Sequence, residues 1–289
     1  NIAIGAFALG TSDTTGIHNI AMGYSAMDDL TTGICNVAIG TNALGAATTG
    51  CLNVAIGELA MGAADTTGSE NIAIGNVAMD ALTTGKWNVA LGKNALGTST
   101  SGCLNVAIGL GAAGGADTTG NQNVAIGQNA QCAMTSGCLN VGIGNSAMGG
   151  GVSTGIDNIA IGTTSMDALT TGICNVAIGT NALGASTTGC LNIAIGNLAL
   201  GAADTTGTNN VAIGKVSMDA LTTGRDNVGI GRDALGVSTT GCRNIAIGNA
   251  SMGSTDVTGI DNISFGTDSM DALTTGICNV AIGTNALGA

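Results

Sequence analysis

Lysine and arginine are almost missing: six basic residues stand against eighteen acidic ones, and the formal charge of −12 reflects that scarcity more than an excess of acid. A surface that tracks phosphate needs a basic face, so nucleic acid is not expected as a partner. Long apolar runs are missing too. Glycine and threonine interrupt every apolar stretch after about five positions, far short of the roughly eighteen that a membrane helix needs, and no basic start leads into an apolar segment. Membrane insertion is therefore not expected. Proline does not occur, and the aromatic residues are reduced to Phe7, Tyr24, Trp87 and Phe265. Fifty glycines without a three-residue period exclude a collagen triple helix. Biases of this size point to a repeat rather than an ordinary globule, although 45% apolar content in 289 residues is enough for a core.

The repeat is present from the first residue. An Asn followed by Ile or Val, a small residue, an aliphatic residue and Gly recurs seventeen times, from Asn1 to Asn279, at intervals of 17 or 18 residues. The spacing mostly cycles 18, 17, 17, and a longer period shows in the stretch GIDNI, which opens at both Gly155 and Gly259. The cycle breaks once, between Asn123 and Asn140, where QCAMTSG replaces the expected MDALTTG and a unit is read as lost. The fourteen residues GICNVAIGTNALGA begin at Gly33, Gly172 and Gly276, and the third copy reaches Ala289 inside a unit. Residues 1–289 are thus expected to form a single continuous array, either a segment of a longer fibre or a subunit whose ends stack.

Counting from the Asn as position 1, glycine falls near positions 5, 10 and 15 of each unit. That spacing is a poor helix, because each interior glycine costs about 1 kcal/mol relative to Ala and no 3.6-residue stripe survives. Short strands fit. In a unit such as Asn36–Gly50 the side chains of Val37 and Ile39 alternate with Ala38, giving one bulky and one small face. Coils stacked at about 4.8 Å would cover one another's bulky faces, so the expected fold is an all-β parallel β-solenoid, a β-roll or β-helix of about seventeen coils. Its core ladder is expected to comprise Val37, Ile39, Leu44, Val54, Ile56 and Met61, with position 9 (Leu or Met) as the third inward column. The methionines there alternate freely with Leu and are read as core filler. Glycine at the corners supplies backbone conformations that a side chain forbids, and the Asn column is read as a turn cap or a stacked amide ladder.

Units such as NVAIGTNALGASTTGCLN, from Asn175 to Asn192, resemble the tandem repeats of bacteriophage and viral tail fibres, and more distantly the SVAIG repeats in the heads of trimeric autotransporter adhesins. The likeness covers all seventeen units. It implies an extracellular, left-handed, homotrimeric fibre of a virion or cell surface that serves attachment, with Ala21, Ala38 and Ala55 turned toward neighbouring chains. It also implies a host surface receptor, engaged through terminal domains that these residues do not include. The sequence departs from the family pattern in its cysteines and in having Tyr after AIG-like segments only at Tyr24. A self-assembling filament subunit with a purely mechanical role is the alternative.

Chemistry-bearing motifs are few. Cys35 and Cys51, like Cys174 and Cys190, fall on adjacent coils with a one-residue offset, which suits a disulfide; buried free thiols are the competing reading. No CxxC pair or histidine cluster exists, His18 being the one histidine, so neither a metal nor a cofactor is expected. The GVSTG stretch from Gly151 to Gly155 formally matches a nucleophile elbow around Ser153, and GLGAAG from Gly109 to Gly114 a dinucleotide fingerprint; both are read as coil punctuation, and no enzyme activity is expected. Repeated acids, among them Asp28, Asp80, Asp65 and Asp117, are read as a solvated edge. The Thr pairs would stack into a hydroxyl array, raising ice binding as an outside reading, though only one Thr of each pair can face outward.

Overall fold

The computed structural model describes residues 1–10 and 12–288, so Ala289, where the third long copy stops, lies outside the described residues. As the repeat predicts, the protein is an all-β parallel β-solenoid with one three-residue strand per unit. It divides into two compact units. The first, Asn1–Ile143, carries strands β1 (Ile2–Ile4) through β9 (Val141–Ile143); the second, Gly144–Ala289, carries β10 (Ile159–Ile161) through β17 (Val280–Ile282). Within each, the strands pair in register: Val37, Val54 and Ile72 are level, as are Ala38, Ala55 and Ala73, and Ile39, Ile56 and Ile74. Backbone bonds between coils continue beyond the strands, for example from the Leu44 N–H to the Ala60 carbonyl (3.0 Å) and from Thr31 to Thr48 (2.9 Å).

Each strand stops at a glycine because only glycine fits there. Gly40 has φ 135°, and a Cβ on it would meet the Gly57 carbonyl oxygen of the next coil at 2.5 Å. Beyond this corner the chain turns with left-handed residues at positions 7 and 9, such as Asn42 (φ 55°) and Leu44 (φ 49°), and again just before the next Asn, as at Leu52 (φ 59°). A non-glycine residue in that region costs on the order of 1 kcal/mol or more and persists only where its surroundings over-determine it. Stacking supplies that constraint.

The Asn column is the stacked amide ladder. Asn36 donates its backbone N–H (2.9 Å) and its Nδ2 (3.1 Å) to Oδ1 of Asn19 in the preceding coil, and Nδ2 also donates to the Gly50 carbonyl of its own coil (2.7 Å). Asn53, buried like Asn36, donates its backbone N–H to Asn36 Oδ1 (3.0 Å) and its Nδ2 to the Gly68 carbonyl (2.9 Å), fifteen residues on rather than fourteen. The extra residue of the long coil therefore lies inside the span that the amide closes.

The interior is narrower than the sequence reading supposes, and the two strand faces are exchanged. Ala21, Ala38 and Ala55, assigned above to neighbouring chains, are fully buried inside the coil, and Val37, Ile39, Val54 and Ile56, assigned to the core, stand on the outer face at partial exposure. Leu44 and Met61 are buried as expected, packed with a second alanine column that includes Ala43 and Ala60. The reason is volume. Where β14 (Val228–Ile230) has Gly229 in the inward place, a methyl added there would already meet Ser217 Oγ at 2.9 Å, Met218 Cε at 3.0 Å and the Ala234 carbonyl at 3.2 Å. An inward valine or isoleucine beside the Leu and Met column has nowhere to go.

Truncating one amide tests the ladder. Asn88→Ala strands the Asn105 N–H, which Asn88 Oδ1 accepts at 3.0 Å, and the Gly102 carbonyl, which Asn88 Nδ2 reaches at 2.7 Å, at a cost of about 3 kcal/mol in a denaturant titration. Asn88→Asp should cost more at neutral pH, where its carboxylate would face that carbonyl and Asn71 Oδ1, and should recover part of the loss on acidification.

Candidate interaction surface

Two columns of aliphatic side chains flank the small middle residue of the strands, alanine in most of them, and point outward. In the first unit Ile72 and Ile74 are each 39% exposed; in the second, Ile161 and Ile195 are each 37% exposed. Neither column admits a polar or charged residue in any of the strands, the variations being Val, Ile, Met22, Leu91 and Phe265. Other outward positions are not restricted in this way. Position 6, immediately beyond the corner glycine, runs through Tyr24, Thr41, Glu58, Asn76 and Lys93 on successive coils. The strand face is thus an outward surface that stays apolar through every repeat.

The remaining edges are mixed: exposed Leu52, Leu104 and Leu191 stand just before the Asn, while the polar side chains serve the stack itself. Asp65 Oδ1 accepts both the backbone N–H (2.9 Å) and Oγ1 (2.8 Å) of Thr48 in the preceding coil, and Asp117, Asp204 and Asp256 hold Thr100, Thr187 and Thr239 in the same way. These acids are intercoil staples as well as a charged edge. The sequence does carry the signal: each of them lies 17 residues after the Thr at position 13 of a short coil. Asp80 and Asp219 accept from the Ala63 (2.9 Å) and Ala202 (2.8 Å) N–H groups, also one coil back. One Thr of each pair faces outward, as expected; Thr32 is exposed while Thr31 donates Oγ1 to the Thr48 carbonyl at 2.9 Å. On the column just before the Asn, Arg243 holds Asp261 through two contacts of 2.7 and 2.9 Å, and Trp87 Nε1 donates to Glu70 at 3.0 Å. All four aromatic rings stand at the surface, none in the core.

The formal motifs resolve into coil structure. Ser153 is fully buried, in the column of Thr66, Thr118 and Thr205, with no hydrogen-bond partner for Oγ. GLGAAG from Gly109 to Gly114 forms a corner and turn. In the QCAMTSG coil, Gln131 takes the buried Leu or Met place and Met134 the place of Leu82. All nine thiols are free, Cys35, Cys51 and Cys190 partly covered and Cys174 exposed. Among the described residues no group of three or more potential ligands is placed to hold a metal, and no helix is long and apolar enough to cross a membrane.

No protein-family model matches the chain, and no curated protein does either.

Partial burial raises the carboxyl groups of Asp80 and Asp219 above their ordinary value, against the lowering effect of their backbone hydrogen bonds; the negative charge of Asp233 adds to the rise at Asp219. A raised value in the folded state means that the native chain binds these protons more tightly than the unfolded chain. Their contribution to stability is present below the ordinary carboxylate value and is lost as pH rises through the folded one. Replacing both by Asn, which keeps an acceptor for the Ala63 and Ala202 N–H groups, should flatten that loss. Thermal midpoints of the two proteins between about pH 3 and pH 7 should diverge in favour of the double variant as pH rises.

Proposed function

We propose that the chain is a non-enzymatic structural shaft of an extracellular or virion appendage that serves attachment, and that its copies pack against one another through the aliphatic strand face. The supporting observation is the uniformly apolar outward columns, kept free of polar residues through every repeat although they are not the core. At close to two-fifths exposure an isoleucine presents on the order of 50 Å², so two columns over eight strands offer about 800 Å², what one partner of a stable interface contributes. A three-copy bundle, the form implied by the likeness to tail-fibre repeats, places these faces together at its axis. The alanine face has no part in it.

Mass per unit length, measured on native particles by electron microscopy, tests the reading. At 27.6 kDa for 289 residues, one coil per about 4.8 Å gives about 0.34 kDa per Å for one chain and about 1.0 for three side by side. The expected value is about 1.0 by the same spacing. The variant Ile56→Lys with Ile74→Lys should keep its strand spectrum and drop to about 0.34, because it charges only the outer face. Ala73→Leu, aimed at the filled interior, should instead destabilise the coil by about 1–3 kcal/mol. An unmodified protein at about 0.34 would remove the bundle and leave the single-stack mechanical filament.

A further inference from the structure

We propose that Cys35 with Cys51, and Cys174 with Cys190, form two redox-closable staples between adjacent coils. The chain turns a corner at the two residues before each Asn, and both face outward there, as Ile34 (41% exposed) and Leu52 (52%) show. The Leu52 N–H donates to the Ile34 carbonyl at 3.0 Å, which sets Leu52 level with Cys35 and Ile34 level with Cys51. The two cysteines are therefore diagonal neighbours on consecutive coils. With coils about 4.8 Å apart and one residue of offset, their Cα atoms lie about 6 Å apart, within the range a disulfide spans. The second unit repeats the geometry, the Leu191 N–H meeting the Ile173 carbonyl at 3.0 Å.

In both places the later thiol rests on the carbonyl two residues back, Cys51 on Thr49 and Cys190 on Thr188, each at 3.3 Å. A weak sulfur hydrogen bond of this kind is readily given up by rotation about χ1. Cys103, Cys138 and Cys242 lack a partner on the same diagonal, having Trp87, Gln122 and Asp226 there, by the bonds from Leu104 to Lys86, Leu139 to Asn121 and Arg243 to Arg225. The register thus separates the four thiols of the two staples from these three. The inference is independent of the fibre reading.

Closure by a small disulfide such as oxidised glutathione is balanced. One thiolate attacks the glutathione disulfide, forming a mixed disulfide and releasing one glutathione; the neighbouring thiolate then attacks the protein sulfur and expels the second. The full chain, reduced, freed of reductant and incubated with oxidised glutathione, should gain two intrachain links, each removing two hydrogens, about 2 Da, from the linked peptides. Peptide mapping should link Cys35 to Cys51 and Cys174 to Cys190. Cys35→Ser should abolish one link and leave the other, while Cys103→Ser should change neither. Persistent glutathione adducts on the four thiols of the unmodified chain, linkage to any other cysteine, dimers joined through these residues, or unchanged mass would each overturn the assignment.

Discussion

Each coil is located by the amide of one asparagine. Asn36 Oδ1 receives the Asn53 N–H at 3.0 Å, while its Nδ2 reaches back to Asn19 and across to Gly50, so one buried side chain ties three coils and closes its own. Hydrogen bonds along such a column reinforce one another in a medium of low dielectric constant, and an unmatched amide there would be costly. Because strand side chains alternate with a period of two, a slip of one residue would bring Val37 and Ile39 inward and send Ala38 out. The Asn immediately before each strand prevents that slip.

The rest follows from how little volume a 17-residue coil encloses. Two columns of mostly alanine, one column of Leu or Met, and the residues before the Thr pairs, such as Leu30 and Leu82, fill it, and a methyl on Gly229 would already crowd Ser217 and Met218. Apolar area that cannot be buried inside must be left outside. The strand face is that remainder, and an in-register aliphatic sheet surface facing water is an adhesive edge that proteins ordinarily cover.

Much of this is legible before any coordinates exist. The Asn period, the parallel coils, the buried position 9 and the single outward Thr all follow from spacing alone, because periodicity is a local property of the chain. Which strand face turns inward is not local: alternation at Val37, Ala38 and Ile39 announces two faces and is silent on which of them meets the core. The preference for large residues inside picks the wrong one. Evidence was available in the substitutions among repeats, where Ala38 and its equivalents give way only to Gly142, Gly229 and Ser264, as a crowded site requires, while Val, Ile, Met and Phe interchange on either side. The second role of the acids is hidden for a related reason. Asp65 is exposed as read, but its bond to Thr48 shows only when the coils are aligned.

Stacking and lateral packing are thereby assigned to different residues. The amides, the staples from Asp65 and Asp204, and the backbone ladders act along the stack, where every donor finds an acceptor one coil away. The aliphatic columns make no such directed bonds, so what they specify laterally is periodicity. In the packing we propose, a second copy matches because it carries the same repeat of about 4.8 Å, and an unrelated surface without that repeat would leave grooves between its contacts. The acidic charge of −12 lies outside the strand columns, so it does not oppose contact there.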